Sequence, residues 1–91
     1  LYSIQPTPVV RLNQAYAISH AQSPKIALDK ILPLEKELAN YQPYHVTKAD
    51  LLRRCGHLKE ARQSLKRAID LTTNKSEINH LQNELGKLAL N

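Results

Sequence analysis

"LLRRCGHLKEARQSLKRA", residues 51–68, gathers six basic side chains around a glycine-centred turn. Two short helices joined by such a turn and rich in arginine fit a DNA-reading helix-turn-helix. They fit equally one hairpin of a helical repeat whose arginines face water. The choice decides the fold, and what flanks the segment makes it.

Sliding the sequence by 34 residues lays "LNQAYAISHAQSPKIALDKIL" over "VTKADLLRRCGHLKEARQSLK". Ala15 then falls on Ala49, Ile18 on Leu52, Ala27 on Ala61 and Ile31 on Leu65. Gln22 meets Gly56 at a turn, and Leu34 meets Ala68. Both units share one plan: a small residue, an apolar one three later, a turn, then Ala followed by apolar residues. Small residues let antiparallel helices approach closely, and the apolar spacing supplies a stripe for the next unit. A recognition helix needs several polar side chains on one face that reach base edges. The basic segment stands in register with "SPKIALDKIL", which has no such face, and the alanines explain its buried side without DNA. The repeat hairpin is therefore the better reading.

Local signals give the helix ends. Thr7-Pro8 and Ser23-Pro24 each put a capping hydroxyl before proline at the first helical position. Gly56 follows "LLRRC", where a helix stop needs a left-handed residue. The pattern predicts helices over 8–21, 24–32, 43–55, 58–71 and 76–89, the last opened by Ser76 as cap. Pro33 breaks or kinks the second helix, and "PLEKELANYQ" links it to the third. In the last helix Ile78, Leu81, Leu85 and Leu88 share a face opposite Asn79 and Lys87, as befits a terminal unit.

The period and the punctuation resemble the tetratricopeptide (TPR) repeat, whose small residues and turn glycine match Ala61, Ala68 and Gly56. The first unit matches at Ala15 and Ala27 but carries Gln22 and Leu34 at the other two places. Arg11 and His45 stand where the family has a large aromatic. The expected fold is all-α: TPR-like hairpins in a right-handed stack, an α-α superhelix, with a C-terminal capping helix. Its parts are 1–7, the end of an upstream helix and a linker; 8–42, the first unit and link; 43–74, the second unit; and 75–91, the capping helix.

At 91 residues the chain is one small domain, and 42% of it is apolar. No run reaches the roughly 18 apolar residues of a membrane span, and no signal peptide opens the chain. It does not begin with Met and reads as a fragment or processed piece. A single cysteine, Cys55, excludes an internal disulfide and fits a reducing compartment, so the expected location is cytoplasmic. The net charge of +5 lies wholly in the segment from Lys48 to Arg67, where seven basic residues face two acidic ones, Asp50 and Glu60.

Arg53, Arg54, Lys59, Arg62, Lys66 and Arg67 form a candidate protein-docking face. Either this is a solvated positive surface or it docks an acidic protein or a nucleic-acid phosphate. His20, His45, His57 and His80 lie at no ligand spacing, so no metal site is expected. No phosphate loop and no nucleophile with a base occur, so neither a cofactor nor an enzyme activity is expected. TPR domains that bind chaperone tails use a clamp of Lys and Asn; the matching positions here hold Leu12, Tyr16, Val46 and Asp50. They make a mostly apolar groove, closed by an upstream segment or open to a partner helix.

"PTPVVRLNQA", "ADLLRRCGHLKEAR" and "LTTNKSEINHLQ" carry a closer resemblance. From about Gln5 to Leu88 the chain is similar to the C-terminal TPR-like extension of a subgroup of bacterial extracytoplasmic-function sigma factors, of the sigma-70 family. The resemblance implies a regulatory or protein-interaction domain that works by protein contact. Its implied partners are RNA polymerase and the sigma factor's own upstream domains, with promoter DNA held only through those upstream domains and no membrane involved. A generic TPR-like interaction module of an unrelated cytoplasmic protein is the alternative, and a helix-turn-helix DNA-binding domain is a further one.

Overall fold

The computed structural model describes residues 7–88. They form helices α1 (Pro8–Ala21), α2 (Pro24–Ile31), α3 (Gln42–Arg54), α4 (Leu58–Asp70) and α5 (Lys75–Leu88). No strand occurs among the described residues. Every observed boundary lies within one residue of its expected place. The expected upstream helix end over residues 1–6, and the expected last residue of the fifth helix, fall outside the described residues.

The helix ends form for the reasons the sequence offers. Thr7 and Ser23 are extended, and their hydroxyls accept from the backbone amides of Val10 at 3.2 Å and Lys25 at 3.1 Å. Each satisfies one of the four amides a helix start leaves unpaired. At the end of α3, Gly56 has φ of 86°. Its amide donates to the Arg53 carbonyl at 3.0 Å, and the His57 amide donates to that of Leu52 at 2.8 Å. This paired closure is the Schellman arrangement, which needs the left-handed residue glycine supplies. The cap of α5 differs from expectation. Asn74, not Ser76, caps it, its side-chain oxygen accepting from the Glu77 amide at 3.0 Å.

Pro33 stops α2 as expected. Ile31 is the last α-helical residue, and Leu32–Leu34 tighten into a 3-10 turn. Tight turns over residues 35–40 then lead to α3.

Connections of two or three residues fold α2 back on α1 and α4 back on α3, the expected geometry for links this short. Helix α3 packs on α2 as well as α4, and α5 covers α4. The alanines lie where the repeat put them: Ala15, Ala27, Ala49, Ala61 and Ala68 are all buried. Leu12, Ala27, Leu28, Ile31, Leu34, Leu51, Leu52 and Ala61 join one core cluster across the two hairpins. Ala49, Leu65, Ala68 and Leu81 form a second, which seats α5.

One polar cluster fastens the link to α3. The Tyr44 ring is fully buried, and its hydroxyl donates to the Ile31 carbonyl and to Glu35 Oε1, both at 3.1 Å. Lys48 Nζ reaches the same carboxylate oxygen at 2.8 Å. His45, also buried, places Nε2 2.8 Å from the Ala39 carbonyl. Burial, with the charge and hydrogen bond of Glu35, pushes the Tyr44 phenol well above its ordinary value. Burial also pushes the Glu35 carboxyl up, but the Lys48 hydrogen bond and charge, the Tyr44 hydroxyl and His45 outweigh it. Its pKa is therefore held below the ordinary carboxylate range.

Candidate protein-interaction site

The four residues expected to line a groove divide. Tyr16, Val46 and Asp50 border a common cavity of about 180 Å³, together with Ala49, Leu65 and Leu81. Leu12 does not join them. It is 2% exposed and packs in the first core cluster, so its place in the groove is corrected to a core position. The cause is rotational, because successive helical residues turn by about 100° and a position near the edge of a face is easily assigned to the wrong side.

The groove has an apolar floor and a charged rim. Val46, Ala49, Leu65 and Leu81 come from α3, α4 and α5, and Tyr16 of α1, 39% exposed, joins the lining. The ring of His20 meets that of Tyr16 edge-on at 4.9 Å. Asp50 and Arg53 form the α3 rim, and His80 and Glu84 the α5 rim. A hydrogen bond from Lys87 holds the Glu84 carboxyl below its ordinary range; burial opposes this, and the charges of Lys87, His80 and Arg53 add to it. The groove thus combines an apolar floor with both signs of charge at its rim.

The six basic residues do not form one face. Arg53 Nη2 pairs with Asp50 Oδ1 at 2.7 Å on the surface of α3. Arg54 points elsewhere: its Nη1 donates to the Ser19 hydroxyl at 2.9 Å and its Nη2 to the Ser19 carbonyl at 3.0 Å. A longer contact of 3.4 Å joins it to Asp50 Oδ2. Arg54 is thus a strap from α3 to the C-terminal turn of α1, where its charge also suits the helix dipole. Arg67 Nη2 donates to Asn40 Oδ1 at 3.0 Å, tying α4 to the link. Lys59, Arg62 and Lys66 remain, on one flank of α4 at i, i+3 and i+7. Lys59 and Lys66 are exposed and Arg62 is half-buried. Among the described residues, none of these three lies within ion-pair distance of a carboxylate.

The histidines are dispersed. His45 is buried against Ala39, His20 meets Tyr16 edge-on, His80 is on the groove rim and His57 follows Gly56. No three His, Cys, Asp or Glu side chains converge among the described residues.

The sequence reading passed over Tyr44, Glu35 and Lys48, whose arrangement holds the link and so fixes how the first hairpin meets the second. An aromatic at the start of α3 was the available signal, since a Tyr near a helix start with an acid nine residues before it has a hydroxyl to satisfy when buried.

No family model matches the chain, and no solved structure matches it. Over 89 residues, 98% of its length, it is 42% identical to an uncharacterized protein of Rhizobium meliloti (strain 1021). The chain spans about a fifth of that relative: the matched 89 residues are 21% of it, which makes the relative about 420 residues long.

Proposed function

We propose that this chain is the C-terminal regulatory and protein-interaction domain of an alternative sigma factor that directs RNA polymerase to promoters. Its two hairpins and fifth helix make a right-handed TPR-like stack with a terminal cap. It works by contact with polymerase and with the sigma factor's own upstream domains, and promoter DNA is left to those domains. The residues quoted above for the resemblance are its first support. The observation that carries it furthest is the size of the Rhizobium relative. A segment 42% identical to this chain occupies 21% of a protein of about 420 residues, which leaves ample length for two promoter-reading domains. The slot bordered by Tyr16, Val46 and Asp50 supports action by protein contact, because an apolar floor with a mixed-charge rim suits a protein side chain better than a phosphate backbone.

The reading frame that encodes this chain tests the assignment. A sigma-type helix-turn-helix domain encoded ahead of Leu1 is the expected finding. An upstream sequence of any other class sinks the sigma reading and leaves the generic interaction module.

A further inference from the structure

The 34-residue offset relates surfaces as well as elements. Under it Leu28 corresponds to Arg62, Leu32 to Lys66, Lys25 to Lys59 and Leu52 to Gly86. Leu28 of α2 and Leu52 of α3 are both buried in one core cluster, which closes the first hairpin against α3. The same two places in α4 and α5 hold an arginine and a glycine. Gly86 is exposed, and a Cβ built on it would meet nothing within 4 Å. The Nε of Arg62 is buried without a hydrogen-bond partner among the described residues.

The two hairpins also differ in what lies beyond. Beside α2, the groove containing Leu28, Leu32 and Leu52 is bordered on its far side by His57 and Glu60, where α4 begins. No described helix stands in that relation to α4 and α5. The 34-residue offset therefore repeats the lining of this groove along α4 and α5, with Arg62 for Leu28, Lys66 for Leu32 and Gly86 for Leu52.

We propose that the α4–α5 edge, at Arg62, Lys66, Lys59 and Gly86, is a docking site for an acidic amphipathic helix of a partner protein. The helix lies along the basic flank of α4, in the place beside α4 and α5 that the start of α4 holds beside the groove of α2 and α3. Its carboxylates, spaced at i, i+3 and i+7, face Lys59, Arg62 and Lys66, which span about 10 Å along α4 at 1.5 Å per residue. One carboxylate takes Nε and an Nη of Arg62 together, the bidentate geometry that guanidinium favours. A smooth backbone at Gly86 gives that helix close approach. A second copy of this chain is a poor occupant: none of the described helices carries more than two carboxylates, and the net charge is +5. The inference rests on the reading that the chain acts by protein contact, though not on the sigma assignment.

The test uses three fluorescent probes: a 21-residue amphipathic helical peptide with Glu at i, i+3 and i+7, a permuted peptide of identical composition, and a DNA duplex of 20 base pairs. Anisotropy titrations with the whole chain should show the patterned peptide binding best. Arg62→Gln or Lys66→Gln should weaken it roughly tenfold or more, as loss of one partner in a desolvated charge pair does. Arg62→Lys should weaken it too, because an ammonium has no planar fork. Lys30→Gln, an equal change of charge on exposed α2, should leave it unaltered. The chain with Arg62→Glu and Lys66→Glu should instead take a peptide with Lys at the three positions, which keeps the test valid whatever Arg62 adds to folding. Equal binding of the permuted peptide, tighter binding of DNA through the same residues, or failure of the charge exchange would each overturn the proposal. A failed sigma reading would appear in the upstream coding sequence and leave these titrations unaffected.

Discussion

Arg54 and Ser19, 35 residues apart in sequence, are joined by two hydrogen bonds of 2.9 and 3.0 Å. Ser19 is buried at 3% exposure, and its own hydroxyl donates to the Tyr16 carbonyl at 2.6 Å. The guanidinium therefore closes the last turn of α1 from outside, satisfying a carbonyl that the helix leaves open. Arg54→Met should cost about 1–2 kcal/mol, since hydrogen bonds to charged groups are stronger than neutral ones and the Ser19 groups lose their donors. Arg54→Lys should recover only part of the loss, because it cannot serve both oxygens with a planar fork. Urea melts of the three chains measure this, and an unchanged midpoint for Arg54→Met would remove the strap from the account.

Ala61 and Ala27 are both fully buried at equivalent steps of the two hairpins. Ala61→Leu forces extra methylenes into that close approach and should cost roughly 1–3 kcal/mol. The thermal midpoint should fall accordingly. A midpoint equal to that of the wild type would mean that α3 and α4 separate readily at this step.

Gly56→Ala places a side chain at φ of 86°, with nothing within 4 Å of the new Cβ. The cost is therefore conformational and not steric, about 1 kcal/mol. Gln22, at the equivalent turn, has φ of −126° and should accept Ala without measurable loss. A neutral Gly56→Ala would show that the Schellman closure adds nothing to α3.

Glu35 links stability to acid. Its folded pKa is depressed below 4.5, so its contribution is complete above that value and is lost as pH falls through the lower folded value. Lys48→Met removes the closest cation, raises the folded pKa and should flatten this part of the acid profile. Thermal midpoints collected from pH 6 down to pH 2 provide the comparison. Parallel profiles for the two chains would show that the Lys48 pair does not couple to folding.

Much of the architecture was legible because it is local. Thr7, Ser23, Pro33 and Gly56 act on their own backbone or the next turn, so their meaning survives without tertiary knowledge. The buried alanines were legible through the repeat, which supplied each position with a second witness. Asn74 was missed although its signal was present, a capping residue three before Glu77. The candidate site was less legible. Whether Arg54 faces solvent or Ser19 depends on how α3 crosses α1, and whether Leu12 faces a groove or the core depends on helix rotation. Tyr44 finds Glu35 only because the link after Pro33 folds back as tight turns, a path that no short-range pattern specifies.

The proposed action by protein contact within a sigma factor makes a claim about Arg62 and Lys66 that DNA binding does not share. Transcription by the full-length protein carrying both Arg62→Gln and Lys66→Gln, measured beside its promoter affinity, tests that claim most directly. We expect activation to fall while promoter affinity and the melting midpoint stay at wild-type values. The 91-residue chain alone should bind DNA only weakly, without sequence preference, and less as salt rises. Normal activation by the double variant, or sequence-specific promoter binding by the chain alone, would contradict the account.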